Sequence, residues 1–317
     1  MRNRNLTPGQ MVWKRFMRNK LAIFGIGLIL FMAVFSLLGP LLSPYGEYTI
    51  FFEKDGVEFN SDDNQSEHQY SDDGVKVLVK APPSASHWLG TDTDGRDILT
   101  RLMYGGRVSL LVGFVVIVIE LALGVTLGGV AGYYGGRVDS VIMRLVDIFY
   151  CIPTLPILLI LSSVMITMQV PQNYKIYGLM ISLGFLGWSS IARLVRGQIL
   201  SLREQEFMAS AEAIGLGAGK KIFRHLLPNV LPQLIVNATL RLGSVILLES
   251  TLSYLGIGVP FPLASWGNMV NTVTDPVIMR NYMNIWVPPG ICILITVMGF
   301  NFIGDGLRDA LDPRMKR

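Results

Sequence analysis

Apolar residues in this chain come in long blocks separated by short polar intervals. Leu21 to Leu42, Leu110 to Tyr133, Val141 to Met165, Tyr177 to Val195, Val230 to Leu255 and Ile285 to Phe302 are all dominated by apolar residues and Gly. A helix rising 1.5 Å per residue needs about 20 such residues to cross a hydrocarbon layer roughly 30 Å thick. The blocks therefore predict six membrane-crossing helices. The alternating ten-residue strands of a transmembrane barrel are absent from the sequence.

The polar intervals set the orientation. Residues 1–20 carry Arg2, Arg4, Lys14, Arg15, Arg18 and Lys20 with no acid. The apolar run that follows is too long for a signal-peptide core and ends in Gly-Pro and Ser-Pro without a small-residue cleavage site, so it reads as a retained first span. Basic residues beside spans mark the cytoplasmic side. That places residues 1–20 inside, the first span at 21–43, a loop outside at 44–106, a core of five further spans at 107–308, and a cytoplasmic tail at 309–317. The outer loop holds an acidic insert with Glu47, Glu53, Asp55, Glu58, Asp62, Asp63, Glu67, Asp72 and Asp73. Thr49–Phe52 and Val75–Val79 can form short strands in it, and its middle reads as loop or disorder. The insert is either solvated or a contact surface for an external binding protein. Arg96, Arg101 and Arg107 run against the charge rule, which long loops escape more readily.

Composition agrees with the pattern. The 317 residues are 51% hydrophobic and 16% charged, against about 25% charged in soluble domains, and the mean hydropathy is +0.46. The net charge of +4 does not point to nucleic acid, because the positive residues flank apolar spans. Cys151 and Cys292 both sit in apolar runs, and His68, His87 and His225 have no ligand spacing, so neither a disulfide framework nor a metal site is expected. Asp92, Asp94 and Asp97 resemble half of a calcium loop, but the glycine is misplaced and the closing Glu is missing. A helix cap leading into an interfacial amphipathic helix accounts for them better. No nucleophile–base constellation is present. GLGAGKK at 215–221 lacks the spacing and the following Ser/Thr of a phosphate loop. The chain is thus expected to be non-catalytic and without a cofactor, taking any energy from another protein.

Polar residues inside the spans are candidates for a translocation path. Glu120 lies near the middle of the second span, on a helix where Gly124, Gly128 and Gly132 repeat every four residues and offer a flat packing face. Asn237 and Arg241 share a face of the fifth span, with Glu249 two turns further on. A charge at that depth faces protein, water or a partner. A structural hydrogen-bond network and a substrate path are both open readings, and a proton-coupled transporter acting alone would use the same acids. Pro153 and Pro156 should bend the third span, Trp188, Ser189 and Ser190 interrupt the fourth, and residues 256–270 form a Pro- and Gly-rich outer loop. The polar interval from Arg196 to Pro232 faces inward: helix formers, then Gly215, Gly217 and Gly219, a basic cluster, and Leu227-Pro228. Such a short helix is not stable by itself, so it plausibly folds against something.

In that interval Ala209-Ser210-Ala211, Gly215 and Leu227-Pro228 resemble the EAA loop of ABC-importer permeases, E-A-A-x3-G-x9-I-x-L-P. Ala209 stands in place of the Glu, Ser210 in the second position and His225 in place of the Ile. HWLGTDTDGRDILTRLMYGGRVSLLVG, AGYYGGRVDSVIMRLVD, ARLVRGQILSLREQEF, LSYLGIGVPFPLASWG and FNFIGDGLRDALDPR are similar, in order, to the C-type subunit of the dipeptide/oligopeptide/nickel permease family. The resemblance implies an all-α polytopic membrane protein with the six-helix type I ABC-importer permease fold, in the plasma membrane of a bacterium. It further implies a B-type permease partner, two cytoplasmic ATPase subunits, an extracellular solute-binding protein and a peptide cargo, with nickel, glutathione or another small solute as alternatives. Residues 197–229 would be the loop that couples to the ATPase. The residues expected to carry it are Glu206, Ala209, Ser210, Ala211, Glu212, Gly215, Gly217, Leu227 and Pro228.

Overall fold

The computed structural model describes residues 8–62 and 74–312. Arg2, Arg4, Asp63, Glu67, His68, Asp72, Asp73 and the tail beyond Asp312 lie outside the described residues. A short amphipathic helix α1 (Pro8–Phe16) leads into α2 (Lys20–Leu37). Asn19 caps α2, its side chain accepting from the amides of Leu21 and Ala22. After a single turn, α3 (Gly39–Leu42), come the strands β1 (Phe51–Lys54), β2 (Val57–Asn60) and β3 (Lys76–Val77), and then α4 (Ile98–Tyr134), α5 (Gly136–Cys151), α6 (Thr154–Thr167) and α7 (Gln172–Arg203). The chain continues through α8 (Glu206–Ala213), α9 (Ala218–Lys220) and a π-helical turn (Lys221–Leu226) to α10 (Leu227–Tyr254), α11 (Trp266–Asn271), α12 (Pro276–Asn281) and α13 (Met283–Leu311).

Among the described residues, five helices are long and apolar enough to cross a membrane, or six if α5 and α6 count as one span. Those two are set at 81° to each other. The prolines expected to bend the third span thus break it: Pro153 leaves no helical hydrogen bond across the junction and α6 restarts at Thr154. The expected amphipathic helix before the second span is not separate, since α4 runs unbroken for 37 residues. The fourth span is also continuous, because Ser190 folds its hydroxyl back onto the Gly187 carbonyl and leaves the backbone ladder intact.

The glycine stripe of α4 packs on α7 as its spacing suggests. A Cβ on Gly124 would lie 2.6 Å from Ile191 Cβ, one on Gly128 2.9 Å from Ala192 Cα, and one on Gly132 2.9 Å from Ile199 Cβ. The two backbones therefore approach more closely than any larger residue allows. Around this pair α10 and α13 pack on α4 and α2, and α1 lies against the far end of α13.

Two parts of the loop regions differ from expectation. The stretch 256–270 is not a solvated loop. Its helix α11 is driven into the bundle, with Trp266 fully buried and its indole N–H donating to the Leu102 carbonyl at 3.0 Å. The described part of the insert is a three-stranded antiparallel sheet in the order β2-β1-β3, so the strand over Val57–Asn60 was missed. It is a built element seated on the start of α4. Phe51 N–H donates to the Gly95 carbonyl at 2.9 Å. His87, 1% exposed, sits with Nδ1 2.9 Å from Asp97 Oδ1 and Nε2 2.5 Å from Glu58 Oε1. Asp97 also caps α4 by accepting from Thr100 N–H at 2.8 Å. Phe51 and Tyr45 pack on the imidazole.

Two outcomes are expected. Gly128→Leu should destabilise the bundle by about 1–3 kcal/mol through overpacking, while Gly197→Ala, where a Cβ would meet nothing within 4 Å, should be neutral or slightly stabilising; thermal unfolding in detergent compares them. Burial alone would lower the His87 pKa, but its hydrogen bonds to Asp97 and Glu58, and their charges, raise it above the ordinary 6.5. A raised folded pKa contributes stability that is complete below 6.5 and is lost as pH rises through the folded value. Hydrogen exchange of β1 and β2 should therefore speed up as pH is raised through that window, after correction for intrinsic exchange, and His87→Gln should abolish the dependence.

Candidate functional site

Glu120 is on α4 and is buried. Arg241 on α10 reaches it as a two-pronged pair: Nε donates to Glu120 Oε2 at 3.0 Å and Nη2 donates to Oε1. Glu120 is 1% exposed and Arg241 about a third exposed. Gly187 of α7 leaves the space for this pair, since a Cβ there would overlap the carboxylate. The pair forms one wall of a cavity of about 200 Å³ that also shows Tyr150, Thr154, Ser189 and Ser190. On its other side Arg241 borders a smaller cavity of about 130 Å³ together with Asn237. Asn237 Nδ2 is itself engaged, donating to the Gln233 carbonyl at 2.9 Å. The arrangement keeps a fixed charge pair beside a partly polar space, with Arg241 also bordering a smaller, mostly apolar one. One half of the pair is sealed and the other is accessible.

Glu249 does not join that group. It is fully buried and held by hydroxyls: Ser253 Oγ donates to Oε1 at 2.7 Å and Ser109 Oγ to Oε2 at 3.1 Å, with Ser250 at 3.5 Å. Ser109 in turn accepts from Trp266 N–H at 3.3 Å. Glu249 thus pins α10, α4 and α11 to one another. The serines were invisible to sequence reasoning because Ser109 and Ser253 are 144 residues apart by number, and nothing in their local pattern marks them as partners.

The second candidate is the hairpin after α7. Arg203 donates to the Tyr133 carbonyl at 2.9 Å, which ties the hairpin's root to the end of α4. In α8, Met208 and Ala211 are buried, Met208 in a cluster with Ile199, Leu226 and Val230. Glu206, Ala209, Ser210 and Glu212 face outward. The helix ends in a Schellman turn: Gly215 N–H donates to the Glu212 carbonyl at 2.9 Å and Leu216 N–H to the Ala211 carbonyl at 3.1 Å. Gly215 has φ +69 with nothing within 4 Å of a Cβ, so backbone conformation, not space, requires glycine there. Gly217 is the exposed N-cap residue of α9. Lys221 Nζ reaches Glu212 Oε1 at 3.4 Å and clips the two arms together. Leu227 and Pro228 open α10, Pro228 in the first turn where its missing N–H costs nothing. Sequence reasoning passed over Ile214 and Phe223, which are 75% and 72% exposed beside this outward face.

Residues 124–317 match the family of binding-protein-dependent transport system inner membrane components, and residues 7–66 match the N-terminal transmembrane domain of oligopeptide transport permease C. The chain belongs to this ABC permease family. It is similar to the dipeptide transport system permease protein DppC of Bacillus subtilis (strain 168), 35% identical over 313 residues, 99% of this chain and 88% of that one. The protein of the same name from Alkalihalophilus pseudofirmus is 39% identical over 311 residues, 98% of this chain and 91% of that one. The oligopeptide transport system permease protein OppC of Bacillus subtilis is 35% identical over 310 residues, 96% of this chain and 91% of that one. The permease is therefore a multi-pass, membrane-embedded component of a multi-component transport system, with the six-helix fold of its family.

Removing either member of the Glu120–Arg241 pair strands the other charge in an apolar setting. Glu120→Ala and Arg241→Ala are each expected to cost roughly 1.5–3 kcal/mol, and the double variant clearly less than their sum. Unfolding of the purified chain in detergent supplies the double-mutant cycle.

Proposed function

We propose that the chain is the C-type permease subunit of a peptide importer. It forms half of the translocation pathway beside a B-type permease subunit, and takes its energy from two cytoplasmic ATPase subunits. An extracellular solute-binding protein delivers the peptide. The complex sits in the plasma membrane of a bacterium, with both ends of this chain and the α8 hairpin inside and the acidic insert outside. Di- and oligopeptides as cargo are supported by the names of the relatives. The basic residues beside the hairpin support the orientation. Membership in a binding-protein-dependent family argues against a stand-alone proton-coupled transporter.

The hairpin is the observation that carries this reading. Its inner face is packed on α7 and α10 through Met208, so that a push on it would bear on the bundle. Its outer face combines acids with the uncovered Ile214 and Phe223. A short helix with one face spent on its own chain and the other on display suits a groove on a partner. Within the bundle, Glu120, Arg241 and Asn237 line the spaces that a substrate would pass. Glu249 is enclosed by serines and acts by holding α10 and α11 in place.

Gly215 gives the sharpest test. A β-branched residue at its left-handed φ costs about 1–2 kcal/mol, about tenfold in the population of the formed turn. Gly215→Val should lose peptide uptake and transport-coupled ATP hydrolysis by about that factor or more, while membrane insertion and yield stay normal. Gly215→Asn, which tolerates the same φ, should keep most of both. Normal uptake by the Val variant would sink the coupling role.

A further inference from the structure

We propose that the cavity beside Arg101, at the end of α4 remote from the α8 hairpin, is a subsite for the carboxylate end of a short peptide. This rests on the reading above in taking peptide as cargo and the insert end as the outer one.

Arg101 lies in the first turn of α4 and is 5% exposed. Its Nε and Nη1 are buried and make no hydrogen bond. The nearest acid is Asp92, with Oδ2 3.4 Å from Arg101 Nε. That carboxylate is already engaged: it accepts from Arg96 Nε at 3.1 Å, Arg96 N–H at 2.9 Å and Asp94 N–H at 2.8 Å. The Arg96 guanidinium is committed as well. It binds Asp92 and Asp94 and lies 4.9 Å from the centre of the Phe261 ring. Of the two buried arginines, Arg101 is the one with donors to spare, and a buried cation with empty donors calls for an acceptor.

Room for one lies beside the Arg101 side chain. Arg101 lines a cavity of about 280 Å³ whose other walls include Val259, Pro260, Met269 and Ile285. A guanidinium fork recognises a planar carboxylate through paired hydrogen bonds. An apolar wall beside it takes a side chain. The last residue of a peptide carries a carboxylate and a side chain on one α-carbon, and so uses both. Asp94, about half exposed on the same wall, disfavours a bare anion and suits the ammonium of a zwitterion. The position also fits: α4 alone spans roughly 55 Å from this cavity to the root of the hairpin, so the subsite stands at the opposite mouth from the coupling element.

The experiment is binding to the full-length chain in nanodiscs, without nucleotide or partner subunits, read by calorimetry and by the shift in melting temperature. The probes are alanyl-leucine, its C-terminal amide and sodium acetate. The free acid should bind about tenfold or more tightly than the amide, and Arg101→Gln should erase that preference. Arg101→Lys, which keeps the charge but not the fork, should fall between them. Thr272→Trp, which fills the cavity from the rim without touching the ion pairs, should abolish binding with the fold intact, and it keeps the test alive if the Arg101 variants do not fold. Equal affinity for acid and amide, or no binding of either by the wild-type chain, would overturn the proposal. Competition by acetate at the same concentration as peptide would overturn the peptide assignment in favour of a free carboxylate ion. Binding is read without transport, so a negative result leaves the coupling role of Gly215 untouched, and a failure of coupling leaves the isotherm as it stands.

Discussion

The close approach of α4 to α7 is the contact on which the other features of this permease depend. Three glycines one turn apart remove every Cβ from the α4 face, and the gain is contact density over a long helix pair, the main source of helix association where lipid tails are as apolar as leucine. The approach has a second effect. It brings Gly187 against the Glu120 side chain, so the carboxylate is covered on the α7 side and open only toward α10. Arg241 can then reach it with both prongs. A wider gap would admit lipid or water to Glu120, and the pair would lose its geometry. The polar centre is thus a consequence of the apolar packing, and the packing tolerates the polar centre because the charges neutralise one another.

α4 is also the element that joins the two ends of the molecule. At one end Asp97 caps it and holds His87, which fastens the insert through Glu58; Arg101 faces the cavity one turn on. Further along, Ser109 meets Glu249, and Glu120 meets Arg241. At the far end the Tyr133 carbonyl takes the Arg203 guanidinium beneath the hairpin. α4 is one unbroken helix, whereas the chain turns by 81° between α5 and α6 at Pro153. On the coupling role proposed above, a stimulus at the hairpin would pass along the packed pair α4 and α7, and the break at Pro153 lies beside the cavity at Tyr150 and Thr154. Any ligand that shifts this system does so only by contacting the two arrangements differently, and a cavity wall that contains the break offers such a difference.

Much of this was legible in the chain, for identifiable reasons. Spans are set by length and apolarity, which are local properties, and the glycine stripe is a local period. The i, i+4 placement of Arg241 and Asn237 was also local, and both line one small cavity. What was not legible depends on distant partners. Trp266 read as part of an outer loop because nothing in residues 256–270 shows that the Leu102 carbonyl awaits its N–H. Glu249 looked like a companion of Arg241, yet its bonds go to hydroxyls on α4 and on its own helix α10. The strand over Val57–Asn60 was hidden by its acid, Glu58, which meets His87 and Ser86 instead of breaking the sheet. The kink at Pro153 was foreseen, but not its size, since a single proline specifies a lost hydrogen bond and not the angle at which the next helix finds its packing.

The hairpin shows how a departure from a family pattern is read once geometry is known. Ala209 occupies the place of the Glu in the EAA pattern, and it lies on the outward face of α8, so no carboxylate is offered there. Glu206 precedes it by less than a turn and Glu212 follows by less than a turn. Glu212 is drawn toward Lys221, which leaves it partly neutralised. The acid remaining free to meet a cation on a partner is then Glu206, in the first turn of α8, where the helix dipole already favours a negative charge. The uncovered apolar pair of Ile214 and Phe223 must supply the rest. Burying two such side chains on a partner is worth about 1.5–3 kcal/mol each, more than an exposed ion pair typically contributes. On the docking role proposed above, the contact at the hairpin would rest on apolar seating by the exposed Ile214 and Phe223, steered by Glu206.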